Sequence, residues 1–341
     1  IIDSNGLNYQ SRADTWTVQY STDGLSLAIT YMDATQGWIP TTDDDVTDAP
    51  TTTQGIFGYG YTGSVTAITN LVSDTGVVAT DVTGVGTARK KLGACEYGTD
   101  TAIFAFGEDG SSKVSMSNLV SNVGVVATDV TGVGTDREKV SAATYGGDKG
   151  IFGFGEDGAG SKVGMTNLVS SAGVVATDVT AVGTARDGSA ACEYGTDTAI
   201  FGYGYTGGGA PGYVSMTNLV TNLGVVGTDV TGVGTVRRAP SACGFGGDQG
   251  IFTGGHDGSG LFSATNLVSN AGVVGTDVTG VAAATYNAAA TQYGEDTGII
   301  GFGNDGNRYA VTNLISNLGV VATDTAGVGT ARDALAACSF N

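Results

Sequence analysis

The chain has 341 residues, with 58 glycines and a formal net charge of −19 from 33 acidic and 14 basic side chains. This acidity argues against binding nucleic acid through its phosphates, and against docking on anionic lipid through a basic patch. No apolar run approaches the roughly 20 residues of a membrane span and no signal peptide is visible, so we expect no membrane insertion. The first residue is Ile1 rather than Met, which indicates a piece of a longer or processed polypeptide.

Residues 1–40 lie outside the pattern that fills the rest of the chain, and we expect a small β module there. Thr15–Tyr20 alternates with a period of two, as a half-buried strand does, and Leu25–Tyr31 is predicted to be the return strand. Both tryptophans, Trp16 and Trp38, lie in this module and indicate an aromatic cluster of its own.

Residues 41–53 are polar, acidic and interrupted by proline, which predicts a solvated linker. An acidic run can also bind calcium, but D-D-D-V-T-D lacks the alternating ligand spacing and the glycine of an EF-hand loop. The sequence therefore divides into a module at 1–40, a linker at 41–53 and a third part at 54–341.

The third part repeats one unit, with intervals of 47 to 51 residues between its Thr/Ser-Asn-Leu cores. The asparagines of these cores are Asn70, Asn118, Asn167, Asn218, Asn266 and Asn313. In one unit, four short strands are predicted at Ser189–Tyr194, Ala199–Gly204, Tyr213–Thr221 and Val225–Val230, joined by Gly, Asn and Asp turns. Four strands in a repeat of this length are typical of a β-propeller blade.

Counting the strands predicts how the array closes. The unit that begins at Gln54 has no first strand before it, and the first strand at Leu335–Phe340 has no second strand after it. We therefore expect Leu335–Phe340 to pair with Ile56–Gly60, which leaves no strand edge unpaired. The predicted fold is all-β: a six-bladed propeller closed by the C-terminal strand and preceded by the small β module.

Residues 54–341 resemble kelch repeats, which implies a kelch-like β-propeller. The resemblance rests on a leading arginine, a strand of small residues that ends in an aromatic, and then I-F-G-F-G or the pair Gly254-Gly255. The leading arginines are Arg89, Arg137, Arg186, Arg237 and Arg332. The chain departs from the family where Asn-Leu replaces the usual Tyr of the third strand and V-V-A-T-D replaces the usual Trp of the fourth.

A second resemblance is to proteins of marine bacteriophages, including tail fibres and other virion components. It rests on the near-identical copies, the G-V-V-A-T-D segments and the motif DATQGWIP at Asp33–Pro40. It implies a non-enzymatic virion structural protein with a host-recognition and adhesion role, on the virion or an extracellular surface. It also implies a homo-oligomer joined to other virion proteins through the N-terminal module.

Two alternatives stay open. One is a lectin-like, glycan-binding adhesive propeller outside any virion. The other is an enzyme that acts on glycans, which needs two carboxylates about 5 to 10 Å apart.

The loops between second and third strands vary among the copies, and this variation predicts a ligand-binding rim for a host-surface glycan or protein. Tyr61, Tyr205 and His256 are expected to be exposed there, and Gly207–Gly212 is an insertion. The alternatives are drift of unconstrained loops and, for the acidic residues, either plain turn chemistry or calcium binding. The candidate ligand residues are Tyr61, Glu108, Asp109, Glu156, Asp157, Tyr205, His256, Asp257, Asn304 and Asp305.

No catalytic residue, metal site or cofactor is predicted. Segments such as Gly58–Gly63 satisfy G-x-G-x-x-G, but no helix follows to supply amides to a phosphate. His256 is the sole histidine, and no G-x-S-x-G nucleophile motif accompanies it.

Two repeated positions are predicted to be structural. The cysteines fall at one position, where Thr144 and Thr291 stand in two other copies, so we expect free, buried thiols. The aspartate of V-V-A/G-T-D, with the arginine that follows it by eight residues, is expected to pin the turn between blades. The cysteines are Cys95, Cys192, Cys243 and Cys338.

Overall fold

A computed structural model of the chain describes residues 7–8, 28–40 and 53–340. The chain divides into two compact units, Ile1–Thr51 and Thr52–Asn341. The regular structure described is β-strand apart from one 3-10 turn, Ala210–Gly212. No helix among the described residues is long and apolar enough to cross a membrane. The fold is all-β, as the sequence predicts.

The first unit contains a hairpin of β1 (Ile29–Asp33) and β2 (Gly37–Pro40). Its turn forms because the Asp33 carboxylate accepts hydrogen bonds from the next backbone N–H groups, at 2.8 and 2.7 Å. Tyr31 packs edge-on against Trp38, with ring centroids 5.5 Å apart.

This hairpin corrects one prediction for the module. The strand expected at Leu25–Tyr31 begins at Ile29 instead, and its described partner is β2. The other predicted strand, Thr15–Tyr20, and nearly all of the linker at 41–53 lie outside the described residues.

The second unit consists of small antiparallel sheets, six of them three-stranded, in a propeller-like arrangement. In chain order the strands are β3 (Gln54–Tyr61), β4 (Val65–Val72), β5 (Gly93–Tyr97), β6 (Thr101–Ala105), β7 (Ser117–Val120), β8 (Arg137–Glu138), β9 (Ser141–Tyr145), β10 (Lys149–Gly153), β11 (Glu156–Asp157), β12 (Thr166–Val169), β13 (Ala190–Tyr194), β14 (Thr198–Tyr205), β15 (Tyr213–Val220), β16 (Ser241–Phe245), β17 (Gln249–Thr253), β18 (Thr265–Val268), β19 (Ala289–Tyr293), β20 (Thr297–Gly301), β21 (Thr312–Ile315) and β22 (Ala336–Phe340).

We number the three-stranded sheets 1 to 6: β22-β3-β4, β5-β6-β7, β9-β10-β12, β13-β14-β15, β16-β17-β18 and β19-β20-β21. The strands β8 and β11 form a separate short pair. Each middle strand is buried on both faces, and six apolar clusters each join two neighbouring sheets, including sheet 6 with sheet 1. Burying one phenylalanine in such a cluster contributes roughly 1.5–3 kcal/mol.

The C-terminal strand completes sheet 1. β22 pairs with β3 from Ala336 opposite Gly58 to Phe340 opposite Gln54. The pairing predicted for Leu335–Phe340 is therefore confirmed, and the two ends of the repeat array lie in one sheet.

The predicted fourth strands are wrong as continuous strands, because a side chain takes the place of part of the ladder. The segment Val225–Val230 contacts β15 through two isolated bridges, at Val226 and at Val230. Between the bridges, the Asn218 amide donates to the Gly227 carbonyl at 3.0 Å and to the Asp229 carboxylate at 2.9 Å. All six Thr/Ser-Asn-Leu asparagines make this pair of bonds.

The leading arginines are fully buried between neighbouring sheets. Arg186 lies 3.9 Å over the Phe154 ring of sheet 3, while its Nη2 donates to Asn218 of sheet 4 at 2.7 Å. Its charge partner is Asp229, at 3.9 Å, rather than the aspartate that precedes it in its own repeat. The predicted pairing of each aspartate with the arginine that follows it is therefore wrong, because the two partners of each ion pair come from consecutive repeats. The other pairs are Arg89–Asp129, Arg137–Asp178, Arg237–Asp277 and Arg332–Asp81.

A series of backbone hydrogen bonds connects the sheets at one end. It involves six residues with positive φ, one before each first strand, which we call the collar. The collar is Lys91, Lys139, Gly188, Ala239, Asn287 and Ala334. Each N–H donates to the carbonyl of the preceding collar residue, and the series returns to its start because Lys91 donates to Ala334 at 2.7 Å. An L-residue in this conformation costs about 1–2 kcal/mol, so the neighbouring contacts must hold the collar in place.

The four cysteines are free and buried, as predicted. One assignment is corrected by the strand register. Ala143 pairs with Ile151 as Cys95 pairs with Ile103, so Ala143 and not Thr144 holds the cysteine position in sheet 3.

The buried arginines generate a stability prediction. We expect Arg186→Met to lower the free energy of unfolding by roughly 3 kcal/mol, because it leaves Asn218 and the Tyr203 carbonyl without their donor. Arg89→Met is the matched comparison, and its loss should be smaller, because Arg89 Nε and Asn118 Oδ1 have no hydrogen-bond partner in the native protein. Urea denaturation of both variants measures the difference, and equal losses would contradict this account.

The cysteines generate a second prediction. Burial raises the pKa of the Cys243 thiol to about 12, and it raises those of the other three cysteines as well. A thiol reagent at pH 8 should therefore label the native protein very slowly and the denatured protein at all four cysteines. Rapid labelling of the native protein would show that the first strands open readily.

Candidate ligand-binding rim

Six of the predicted ligand residues occupy one repeat position, directly after a glycine with positive φ near the end of each second strand. They are Tyr61, Glu108, Glu156, Tyr205, His256 and Asn304. Each pairs across a backbone bridge with the residue just before the collar, as Tyr205 does with Asp187 and His256 with Arg238. We call this end of the sheets the loop rim.

The predicted exposure of the aromatic residues is wrong. Tyr61, Tyr205 and His256 are half-buried, because cationic or aromatic side chains pack on their rings. Lys90 and Arg308 lie 4.4 and 4.5 Å from the Tyr61 ring centroid. These neighbours come from other parts of the chain, so the local sequence does not reveal them.

The four predicted aspartates of the loop rim stabilise their own turns. Asp109 and Asp157 accept hydrogen bonds from backbone N–H groups two to four residues later, and so do Asp257 and Asp305. Hydrogen bonds from the Ser112 and Ser111 N–H groups hold the pKa of the Asp109 carboxyl below its usual value. Within the described part of the chain, no three acidic, His or Cys side chains are placed to hold a metal ion.

Basic residues concentrate at the loop rim. Apart from the five buried leading arginines, seven of the described Lys and Arg residues lie there: Lys90, Lys91, Lys113, Lys139, Lys162, Arg238 and Arg308.

Two buried carboxylates, Glu138 and Asp187, organise part of this basic set. Lys91 bonds Glu138 at 2.8 Å, and Lys162 lies 2.8 Å from Asp187. Glu156, one of the predicted ligand residues, is connected to both carboxylates through shared lysines. It accepts a hydrogen bond from Lys113 at 2.6 Å. Burial opposes ionisation of Glu156, but hydrogen bonds from three lysines outweigh it and lower its pKa.

Sequence reasoning missed Glu138 and Asp187, although a signal was present. The residue after each leading arginine is charged in all five copies, giving Arg-Lys, Arg-Glu, Arg-Asp, Arg-Arg and Arg-Asp. This position faces the loop rim through the backbone bridges, and it supplies Lys90, Glu138, Asp187, Arg238 and Asp333 to the charged network.

A basin of about 390 Å³ lies inside the collar. Its floor includes Leu92, Val140 and Leu335, each directly after a collar residue, and its wall includes Arg238 and His256. This volume falls in the range of small-molecule sites. Burial, and then the charge of Arg238, lower the pKa of His256, so its imidazole is neutral at pH 7.

A side pocket of about 430 Å³ lies between the insertion of sheet 4 and the next loop. Tyr205 and Tyr213 line it together with Val236, Asp257 and the turn that follows Asp257. The two tyrosines stand opposite each other in β14 and β15, with ring centroids 4.9 Å apart. Of these residues, the sequence analysis proposed Tyr205 and Asp257 but not Tyr213, which reads there as part of a core strand.

One aromatic series joins the two cavities. Tyr213 contacts His256 with centroids 5.5 Å apart, and His256 contacts Tyr286 at 5.1 Å. Tyr205 and Tyr213 face the side pocket, while His256 and Tyr286 line the basin. The series therefore offers a continuous aromatic surface from sheet 4 to the segment before sheet 6.

A carboxyl pair is enclosed elsewhere, in a channel of about 50 Å³ between the first strands. Burial raises the pKa of Glu193 to about 8, and the charge of Glu96 adds to the shift. The pKa of Glu96 is raised by burial too, against a hydrogen bond from Ser339. This space is far smaller than the roughly 300–1,000 Å³ that is typical of small-molecule sites.

The opposite rim has a different chemistry. In the turn that follows each third strand, the residue after the glycine is an exposed valine. These valines are Val77, Val125, Val174, Val225, Val273 and Val320. Leu223 and Leu318, one residue before that glycine, are 77 % and 76 % exposed. Aspartates such as Asp197 lie beside them, within hydrogen-bond distance of turn asparagines. This rim is apolar and acidic, whereas the loop rim combines aromatic rings with charged side chains of both signs.

No protein-family model matches the chain, and no curated protein matches its sequence. The geometry of the rims and cavities therefore carries the functional argument.

The carboxyl pair of Glu96 and Glu193 generates a prediction about how stability depends on pH. The folded protein keeps a proton on Glu193 up to about pH 8, whereas the unfolded chain releases it near the ordinary value of 4.5. Stability should therefore fall as pH rises between these values, by at most about 1.4 kcal/mol per pH unit for one proton. Glu193→Gln should flatten this slope in urea denaturation from pH 5 to 8. Glu295→Gln, in an exposed turn, is the control and should leave it unchanged; an equal slope in all three proteins would contradict the assignment.

Proposed function

We propose that residues 54–341 form a closed, kelch-like propeller of six blades, with sheets 1 to 6 as the blades. The collar supports closure, because its hydrogen bonds return to the residue at which they start. The pairing of β22 with β3 supports it as well, because it joins the ends of the array in one blade.

The protein is, in this proposal, a non-enzymatic structural component of a bacteriophage virion, a tail fibre or surface propeller that recognises the host. The loop rim binds a glycan or protein of the host surface. The observation that carries this proposal is the aromatic series from Tyr205 to Tyr286, with a cavity of ligand size at each end. Aromatic faces flanked by charged hydrogen-bonding groups suit both glycan and protein contacts.

Attachment to other virion proteins is proposed through the N-terminal module, in a homo-oligomer on the particle surface. The opposite rim supports a further protein contact, since exposed valines recur in every repeat there. Its bulkiest turn residues alternate around the sheets: Val123, Leu223 and Leu318 occupy sheets 2, 4 and 6, where Thr75, Ala172 and Ala271 occupy sheets 1, 3 and 5. Such alternation suits a neighbour of threefold symmetry.

The second candidate function is a lectin-like adhesive propeller outside any virion, and the same loop rim supports it. A glycan-active enzyme is less well supported, because the carboxyl pair with raised pKa values lies in the narrow channel. Labelling the protein in purified particles separates the two adhesive functions.

Replacing the insertion tests the ligand rim. A variant in which Tyr205–Gly212 is exchanged for the short Glu108–Ser112 loop should fold, because no residue of the exchanged segment belongs to the six apolar clusters between sheets. It should adsorb to host cells more weakly by about tenfold or more. In adsorption measured with the purified protein, where no virion neighbour is present, the control variant Leu223→Ser alters the opposite rim and should adsorb normally. Adsorption that survives the loop exchange but is lost in Leu223→Ser would assign host binding to the other end.

A further inference from the structure

We propose that the side pocket binds a neutral pyranose sugar, with Tyr205 and Tyr213 as its stacking surface and Asp257 as its hydrogen-bond acceptor. This inference rests on the proposed function, because the sugar would be one unit of the host glycan. It adds the subsite and the charge class of the saccharide.

The size and lining of the pocket fit a sugar ring. Its volume of about 430 Å³ lies in the range that encloses a small ligand. The two tyrosines, with Val236 and Ala210, make one side apolar. A pyranose has C–H groups on its faces and hydroxyl groups around its edge, so it pairs an apolar wall with a polar one.

The insertion that walls the pocket holds its own shape. The Gly209 N–H donates to the Tyr205 hydroxyl at 2.9 Å, and the Thr206 N–H donates to the Gly212 carbonyl at 2.8 Å. Three consecutive glycines, Gly207, Gly208 and Gly209, have φ angles of 100°, 81° and 84°, which other residues rarely adopt. The pocket is therefore formed before a ligand arrives, which reduces the ordering cost of binding.

The polar wall offers one free acceptor. Asp257 Oδ1 accepts hydrogen bonds from the Ser259 N–H and hydroxyl and from the Gly260 N–H, at 2.7 to 2.9 Å. Oδ2 has no hydrogen-bond partner among the described residues, and a sugar hydroxyl can donate to it. The bonds from Ser259, and then from Gly260, lower the pKa of Asp257, so the acceptor is ionised at neutral pH.

The charge of the pocket selects neutral sugars. Asp257 is the only charged side chain among the described residues that line it. The nearest cations, Lys162 and Arg238, lie against Tyr205 at 5.9 and 5.3 Å and are paired with Asp187. A sugar carboxylate would therefore meet a negative charge without a cation to balance it.

Binding of methyl glycosides to the intact chain tests the proposal. Calorimetry and ligand-observed NMR should detect at least one of methyl glucoside, methyl galactoside and methyl mannoside, and should detect glucuronic acid more weakly or not at all. Tyr213→Ala should weaken binding of the neutral sugar by about tenfold, the loss expected for an aromatic stacking surface. Tyr309→Ala is the matched control, since Tyr309 lies on the same rim outside the pocket and should leave binding unchanged.

Asp257→Asn removes the charge of this side chain and keeps the hydrogen bonds that form the turn. The asparagine oxygen can still accept the turn hydrogen bonds, so the variant should fold. Its affinity for the neutral sugar should fall several-fold, and its discrimination against glucuronic acid should shrink. Failure of all three neutral glycosides to bind, or equal losses in Tyr213→Ala and Tyr309→Ala, would overturn the proposal.

The same variants distinguish this inference from the proposed function. If no neutral glycoside binds but adsorption still depends on the Tyr205–Gly212 insertion, the sugar assignment fails while host binding at the loop rim stands. If the sugar binds as expected but the loop exchange leaves adsorption intact, the pocket assignment stands and the host-binding role fails.

Discussion

A buried guanidinium group between neighbouring sheets is the contact on which the rest of the structure depends. Removing a cation from water is costly unless its N–H groups are paired. Arg186 meets this condition with the Tyr203 and Thr184 carbonyls, the Asn218 amide oxygen and the Phe154 ring. Burial lowers its pKa to about 10, against the attraction of Asp229, so it remains charged at neutral pH. Because these partners belong to consecutive sheets, satisfying one arginine fixes the position of one sheet on the next.

The repeat period and the strand count predict much of this fold, because each depends on chain order alone. The pairing of Leu335–Phe340 follows from counting strands, and the structure confirms it. The partner of each arginine does not follow, since an aspartate eight residues earlier in the chain suggests a local pair. In the fold, that aspartate turns toward the preceding sheet, where Thr330 N–H and hydroxyl groups bond Asp81. The interruption of the predicted fourth strand does not follow from the pattern either, because the repeated asparagine does not reveal that its amide bonds this segment.

The sequence predicts the candidate rim from variation among the loops. This variation shows which end of the sheets differs between repeats, but it does not show which side chains a ligand can reach. Tyr61 reads as an exposed loop aromatic, yet Lys90 and Arg308 cover it from two other repeats. Tyr213 reads as the start of a core strand, yet it lines the side pocket beside Tyr205. The spacing of these two tyrosines on either side of the glycine insertion is the one clue that the sequence offers. Both differences arise because exposure is decided by residues that are distant in the chain.

One interface departs from the common design, and it is the interface that the aromatic series crosses. Between sheets 5 and 6, Thr285 replaces the leading arginine, Gly254 replaces the aromatic beneath it, and Ile300 replaces the phenylalanine that packs edge-on elsewhere. The backbone bond survives, since the Gly255 N–H donates to the Thr285 carbonyl at 2.8 Å.

The residues that follow these replacements are His256 and Tyr286, whose rings meet 5.1 Å apart at the loop rim. The three losses are linked, because at the other interfaces the arginine and the two aromatic side chains contact one another. Under the proposed function, they are the pattern expected where stability is given up at a binding surface and the remaining five interfaces hold the array together. The missing arginine is a feature of the protein interior, and it indicates the same end of the sheets as the cavities do.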